Sequence, residues 1–219
     1  MIVLLVLLVV ASAAAAISQV FGTFFTTTSS TPVGNTISGG FTLNNRLYKP
    51  APGDVTLGAT TFSSGQGTIY VNGNLHITGN IGYAGSASSS DKTQLPSLGF
   101  VVTGNIIVDP NVTNIVGTYF AGGSFNTRSK LKSYSGNSDT DGSYNDDRLS
   151  SDQAFRMDGV MIALNFSLQR QLGNFLGLGA VENTPESFVY DGRVVVNTPI
   201  GFSDIQKYPA SWNESVPYN

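Results

Sequence analysis

Cysteine is absent from all 219 residues, which excludes disulfides, thiolate catalysis and cysteine-based zinc or iron centres together. Histidine occurs once, at His76, between Leu75 and Ile77 in a strand-like phrase; a Ser–His–Asp group would have to use it, and nothing nearby nominates a serine. Charge is scarce: Lys, Arg, Asp and Glu make up 11% of the chain, against about 25% in an ordinary soluble domain. The first charged residue is Arg46. With 11 basic and 14 acidic residues and a formal net charge of −3, no basic stripe exists to neutralise phosphates, so nucleic acid is not expected as a partner. G-x-S-x-G, H-E-x-x-H and P-loop patterns are also missing, and the chain is read as a non-enzyme.

What is present divides the chain in two. Met1 to Phe25, MIVLLVLLVVASAAAAISQVFGTFF, is apolar through its first seventeen residues except for Ser12. A helix rising about 1.5 Å per residue crosses a bilayer's hydrocarbon core in roughly 20 such residues. Residues 1–25 are therefore expected to form a long apolar helix serving as a filament core or a membrane anchor, with Met1, Leu4, Leu5, Leu8, Val9, Ala15 and Phe21 on its buried surface. A secretory signal is the rival reading: Ala11 to Ala16 resembles a cleavage region, but the basic n-region is lacking. Thr26 to Thr36, with Pro32, reads as a hinge.

From Thr36 the apolar period becomes two, and short β-type runs alternate with Gly, Asn and Pro. One phrase repeats: Val71-Asn72-Gly73-Asn74-Leu75-His76-Ile77 is echoed by Val102-Thr103-Gly104-Asn105-Ile106-Ile107-Val108, and more weakly by Met157 to Ala163. Residues 37–219 are thus expected to form one mainly-β domain of solenoid type, with Asn74, Asn80 and Asn105 forming ladders at its corners; an antiparallel β-sandwich is the alternative. The fold class expected is α+β. Insertions are expected at about 85–95 and 125–151, a hairpin around Asp191-Gly192, and a C-terminal tail anchored by Trp212.

Met1-Ile2-Val3-Leu4-Leu5 and the apolar run behind it resemble the mature opening of type IV pilin-like subunits, and the Gly-Asn phrases resemble pilin-like surface proteins with β-helical ectodomains. The resemblance implies a structural subunit of an extracellular pilus-like filament, a helical homopolymer whose leading helices bundle in the core while the β domain faces outward. It implies passage through the membrane and display at the cell surface. Leu5 stands where the family's major subunits carry Glu, which removes their usual charge pairing between neighbouring N-termini. A membrane-anchored adhesin or carbohydrate-binding module, with Tyr119, Phe120 and Trp212 lining a glycan or host-surface ligand, is the alternative function.

No cofactor is required by these patterns, but one loop has hard-ligand spacing. Asn137-Ser138-Asp139-Thr140-Asp141-Gly142 follows D-x-[DN]-x-[DN]-G with Asn in first place. Asn137, Asp139, Asp141, the Ser143 carbonyl and Asn145 would supply oxygens to a structural Ca²⁺, although Arg148 stands where a bidentate Glu is needed. A Ca²⁺-dependent polysaccharide enzyme built from Asp139, Asp141, Lys132 and Arg148 is the remotest reading. N-x-[ST] sequons at Asn111, Asn165 and Asn213 offer N-glycosylation acceptors.

Overall fold

The structure, a computed structural model, describes residues 25, 28–85, 95–128, 153–170 and 186–203. Its strands are β1 (Thr31–Val33), β2 (Thr36–Thr42), β3 (Arg46–Pro50), β4 (Val55–Ser63), β5 (Gln66–Val71), β6 (Leu75–Ile77), β7 (Ile81–Tyr83), β8 (Ser97–Val102), β9 (Ile106–Val108), β10 (Asn114–Thr127), β11 (Phe155–Leu168) and β12 (Glu186–Val189). They form one twelve-stranded sheet, curled like a half-barrel, in which every pairing among the described residues is parallel.

The expected α+β class is corrected by this architecture. The described residues are parallel β, with a single helical turn at Arg193–Val196, and no helix among them is long and apolar enough to cross a membrane. The reason lies in the pattern: the chain after Thr36 alternates with period two and is broken every few residues by Gly or Asn, which a helix does not tolerate. The antiparallel sandwich falls with the parallel pairing. The hairpin around Asp191-Gly192 does not form either, because Arg193–Val196 turns helically instead of returning as a strand. Residues 1–24, and Met1, Leu4, Leu5, Leu8, Val9, Ala15 and Phe21 with them, lie outside the described residues.

Register shows how the sheet is wound. Thr31, Tyr48, Ile69, Phe100, Tyr119 and Met161 stand in one column, each on a successive coil. The steps between them are 17, 21, 31, 19 and 42 residues. The two long steps are those that contain residues 86–94 and 129–152, and the register continues on either side of both. This column marks a first face. A second holds Val55, Leu75, Ile106, Phe125 and Phe166 in register. A third holds Phe41, Phe62 and Tyr83 in register on the earlier coils, and Ile115, Met157 and Phe188 in register on the later ones.

Inward side chains of all three faces fill one continuous core, with Leu57, Ile69, Leu75, Ile77, Phe100 and Phe125 fully buried. Burying each such side chain is worth about 1.5–3 kcal/mol. At the corner between the first two faces the chain leaves strand pairing, and its N–H groups need other acceptors. Asp54 Oδ1 accepts from Asn74 N (2.8 Å) and Nδ2 (3.0 Å), Asn74 Oδ1 from Asn105 N (2.8 Å), and Asn105 Oδ1 from Ser124 N (2.8 Å). Asn80 does the same at the next corner for Thr113 N at 2.7 Å. Stacked glycines let the third corner close: a Cβ on Gly159 would lie 1.8 Å from the Gly117 carbonyl oxygen, at φ +158.

Candidate assembly surfaces

The first face is apolar on both sides. Its outward residues Leu47, Tyr70, Val101 and Phe120 form a second cluster, closed over by Phe25 and Phe202. Phe25 is fully buried, stacks on Tyr70 with ring centroids 5.4 Å apart, and accepts a hydrogen bond from Lys49 Nζ on its carbonyl (3.2 Å). The same ammonium lies 5.3 Å from the Tyr70 ring centroid, a cation–π contact. Residue 25, where the apolar opening ends, is therefore fixed to the flank of the stack. The C-terminal part of the described chain lies on the same flank: Thr68 Oγ1 donates to Ile200 O (2.6 Å), and Gln66 and Asn197 join their side-chain amides. Gly99 makes room for it, since a Cβ there would sit 2.6 Å from the Phe202 ring.

A polar column runs up the outside of the corner between the second and third faces. His76 on β6 and Asp109 after β9 are joined at 2.6 Å, ring nitrogen to carboxylate. Arg128, at the end of β10, lies 3.5 Å from the same Oδ1. Arg170, after β11, donates to Asp109 O (2.8 Å) and Gln153 O (3.0 Å) and places its guanidinium 4.9 Å from the Phe155 centroid. Glu186 takes hydrogen bonds from Thr127 Oγ1 and Arg170 N. His76, Asp109, Arg128 and Arg170 come from four successive coils, so the column ties those coils together. The His76 ring meets the Asp109 carboxylate and so joins two coils.

Burial shifts two tyrosines that pack in or against the core. Burial pushes the Tyr83 phenol up to about 12, partly offset by the Leu98 N–H that donates to its oxygen at 3.0 Å. Burial pushes Tyr119 well above the usual phenol range, and neighbouring Tyr83 adds to it; the Tyr119 hydroxyl donates to Val116 O at 2.9 Å.

Several residues singled out in the sequence are thereby placed. Tyr119 is fully buried and stacked on Phe100 at 5.3 Å, and Phe120 is 3% exposed, so neither lines an open glycan surface in this structure. Trp212 lies outside the described residues, as do Asn213 and the whole candidate metal loop of Asn137, Asp139, Asp141, Ser143 and Asn145. Among the described residues no group of three or more His, Asp or Glu side chains is placed to hold a metal ion. Asn111 is exposed but ties its amide to Thr78 O (3.2 Å); Asn165 is exposed on β11. Sequence reasoning missed the outward apolar stripe and the column around Asp109. The stripe had a signal: Ser97–Val102 is buried at all six positions, the continuous apolar run of a strand covered on both sides. The column had none, because its members are up to 110 residues apart (76 to 186) and only coil winding brings them together.

Comparison with models of protein families, with curated proteins and with solved structures gave no significant match in any of the three.

Proposed function

We propose that this chain is a structural subunit of an extracellular pilus-like filament, carried through a membrane and displayed at the cell surface. In this reading the Met1–Phe25 segments of neighbouring copies bury one another, and the coil stack forms the outer coat. The observation that carries it is the burial of Phe25 on the outward stripe of the first face. An apolar segment tethered at a fixed point of a rigid domain presents the same geometry in every copy, which is what a regular polymer needs. Low charge helps, since crowded coats of near-neutral domains repel one another little.

Sedimentation of native material, combined with the mass of the intact chain, tests the reading. Fibres that retain Met1–Phe25 are expected. Dispersed monomers that retain the segment would overturn it, as would a product beginning near Ile17.

The same reading includes a structural Ca²⁺ held by Asn137, Asp139, Asp141, Ser143 and Asn145, clamping the long insertion. Chelation is expected to speed proteolytic cleavage within residues 129–152 and to leave the coils intact. Asp139→Ala should cleave as fast without chelator as the unaltered chain does with it. Equal cleavage rates with and without Ca²⁺ would remove the metal from the account.

A further inference from the structure

The two ends of the stack differ. At the first coil the core is sealed: Ile37 is 3% exposed, Leu43 is fully buried, and Tyr48 Oη donates to the carbonyls of Thr42 (2.9 Å) and Leu43 (3.0 Å). At the last coil Phe166 and Leu168, which stand in register with Phe125 and Thr127, are 51% and 49% exposed. Their backbone is open as well. β12 pairs only with Phe155–Asp158, so Gly159–Leu168 has no strand on its outer side among the described residues.

We propose that this edge is a self-association surface, on which Gly159–Leu168 of a second copy pairs antiparallel about a two-fold axis. The charge pattern selects a second copy. Gly159–Leu168 contains no charged side chain; on one side Arg156 and Asp158 close on each other at 2.7 Å, and on the other Arg170 turns to the carbonyls of Asp109 and Gln153. Two identical edges therefore meet without like-charge repulsion. Exposed edges are usually blunted by Lys or Pro, and this stretch has neither. The opposite end offers no apolar match: the outer edge of β2 is also free of charge, Lys and Pro, but the core beneath it is sealed. Head-to-tail stacking is thus disfavoured, while two unsealed ends brought together bury each other and close the assembly. Antiparallel pairing also satisfies the open N–H and C=O groups of both copies. The surface lies at the end of the stack, apart from the flank that holds Phe25, and does not depend on the filament reading.

Because the chain has no cysteine, a single introduced one reports contact cleanly. The experiment uses the full chain in detergent, where leading apolar segments are dispersed. Light scattering is expected to give two copies per particle. Mild oxidation of Leu164→Cys, near the middle of the open stretch, should give a disulfide-linked dimer as the main product, whereas Thr61→Cys, exposed on the third face, should stay single. Adding Phe166→Lys to Leu164→Cys should cut the cross-linked yield roughly tenfold, with strand circular dichroism unchanged. One copy per particle, equal cross-linking at both cysteines, or a yield indifferent to Phe166→Lys would each overturn the proposal; the first would mean that the edge is covered by this chain itself or by a different partner. Dimers in detergent with no fibres in native material would sink the filament reading alone, and fibres in native material with single copies in detergent this proposal alone.

Discussion

Asn74 shows how much one side chain does in this stack. Its carbonyl oxygen accepts from the Asn105 backbone while its amide donates to Asp54, so it joins three coils. Asn74→Ala removes both and leaves the Asn105 N–H without its acceptor, a loss expected to cost about 1–2 kcal/mol in chemical denaturation. Asn74→Asp keeps the acceptor but sets a carboxylate against Asp54, so it should lose stability above the carboxylate pKa range and regain it in acid. Equal stability of both variants and the original would show that corner ladders are ornamental. Tyr83 gives a second expectation at this scale. Its phenol is raised from 10.0 to about 12 in the folded chain, so the unfolded chain releases that proton first. Stability from this group is complete below pH 10 and is lost as pH rises through about 12. Unfolding that coincides with tyrosinate formation over that window is expected; tyrosinate signal from Tyr83 with the fold intact would contradict it.

At the scale of elements, β10 and β11 are the longest strands and hold the corners in line. Each crosses two corners, and Gly117 and Gly159 stack where both turn from the third face to the first. Gly159→Ala drives a methyl into the Gly117 carbonyl, and we expect a loss of about 3 kcal/mol, read as a lower denaturation midpoint. An unaltered midpoint would mean that the two strands are not stacked in this register. The same pair shows what the sequence made legible. The Val71 and Val102 phrases do occupy equivalent corners, because Leu75 stands beneath Ile106 and each Asn serves the next coil. Met157 to Ala163, which looks like a third copy, belongs to a different corner: its true counterpart is Ile115 to Ala121. Gly followed by an apolar residue marks a corner but not which one, and inserted residues 129–152 hide the count. Asp191-Gly192 misled for a related reason. It is good turn chemistry, yet a turn does not dictate the direction of the chain beyond it, and in a parallel coil the chain does not fold straight back.

For the whole molecule, the stack, its flank and its open end are one object with three surfaces. The long-helix expectation drew on the apolar opening, of which the described residues retain only Phe25; that residue was legible as apolar but not as a fixed point, since its seat is assembled from β3, β5, β8 and β10. The polar column was beyond reach, because charges this far apart in sequence meet only once the coils are wound. Whether neighbouring copies shelter each other's leading segments is the question on which the functional account turns. Electron cryo-microscopy of native material answers it most directly. Fibres should show the coil stacks on the outside, with density leading inward from Phe25 to an apolar centre shared between copies. Separate particles, each with its own leading segment intact and no contact between those segments, would contradict it.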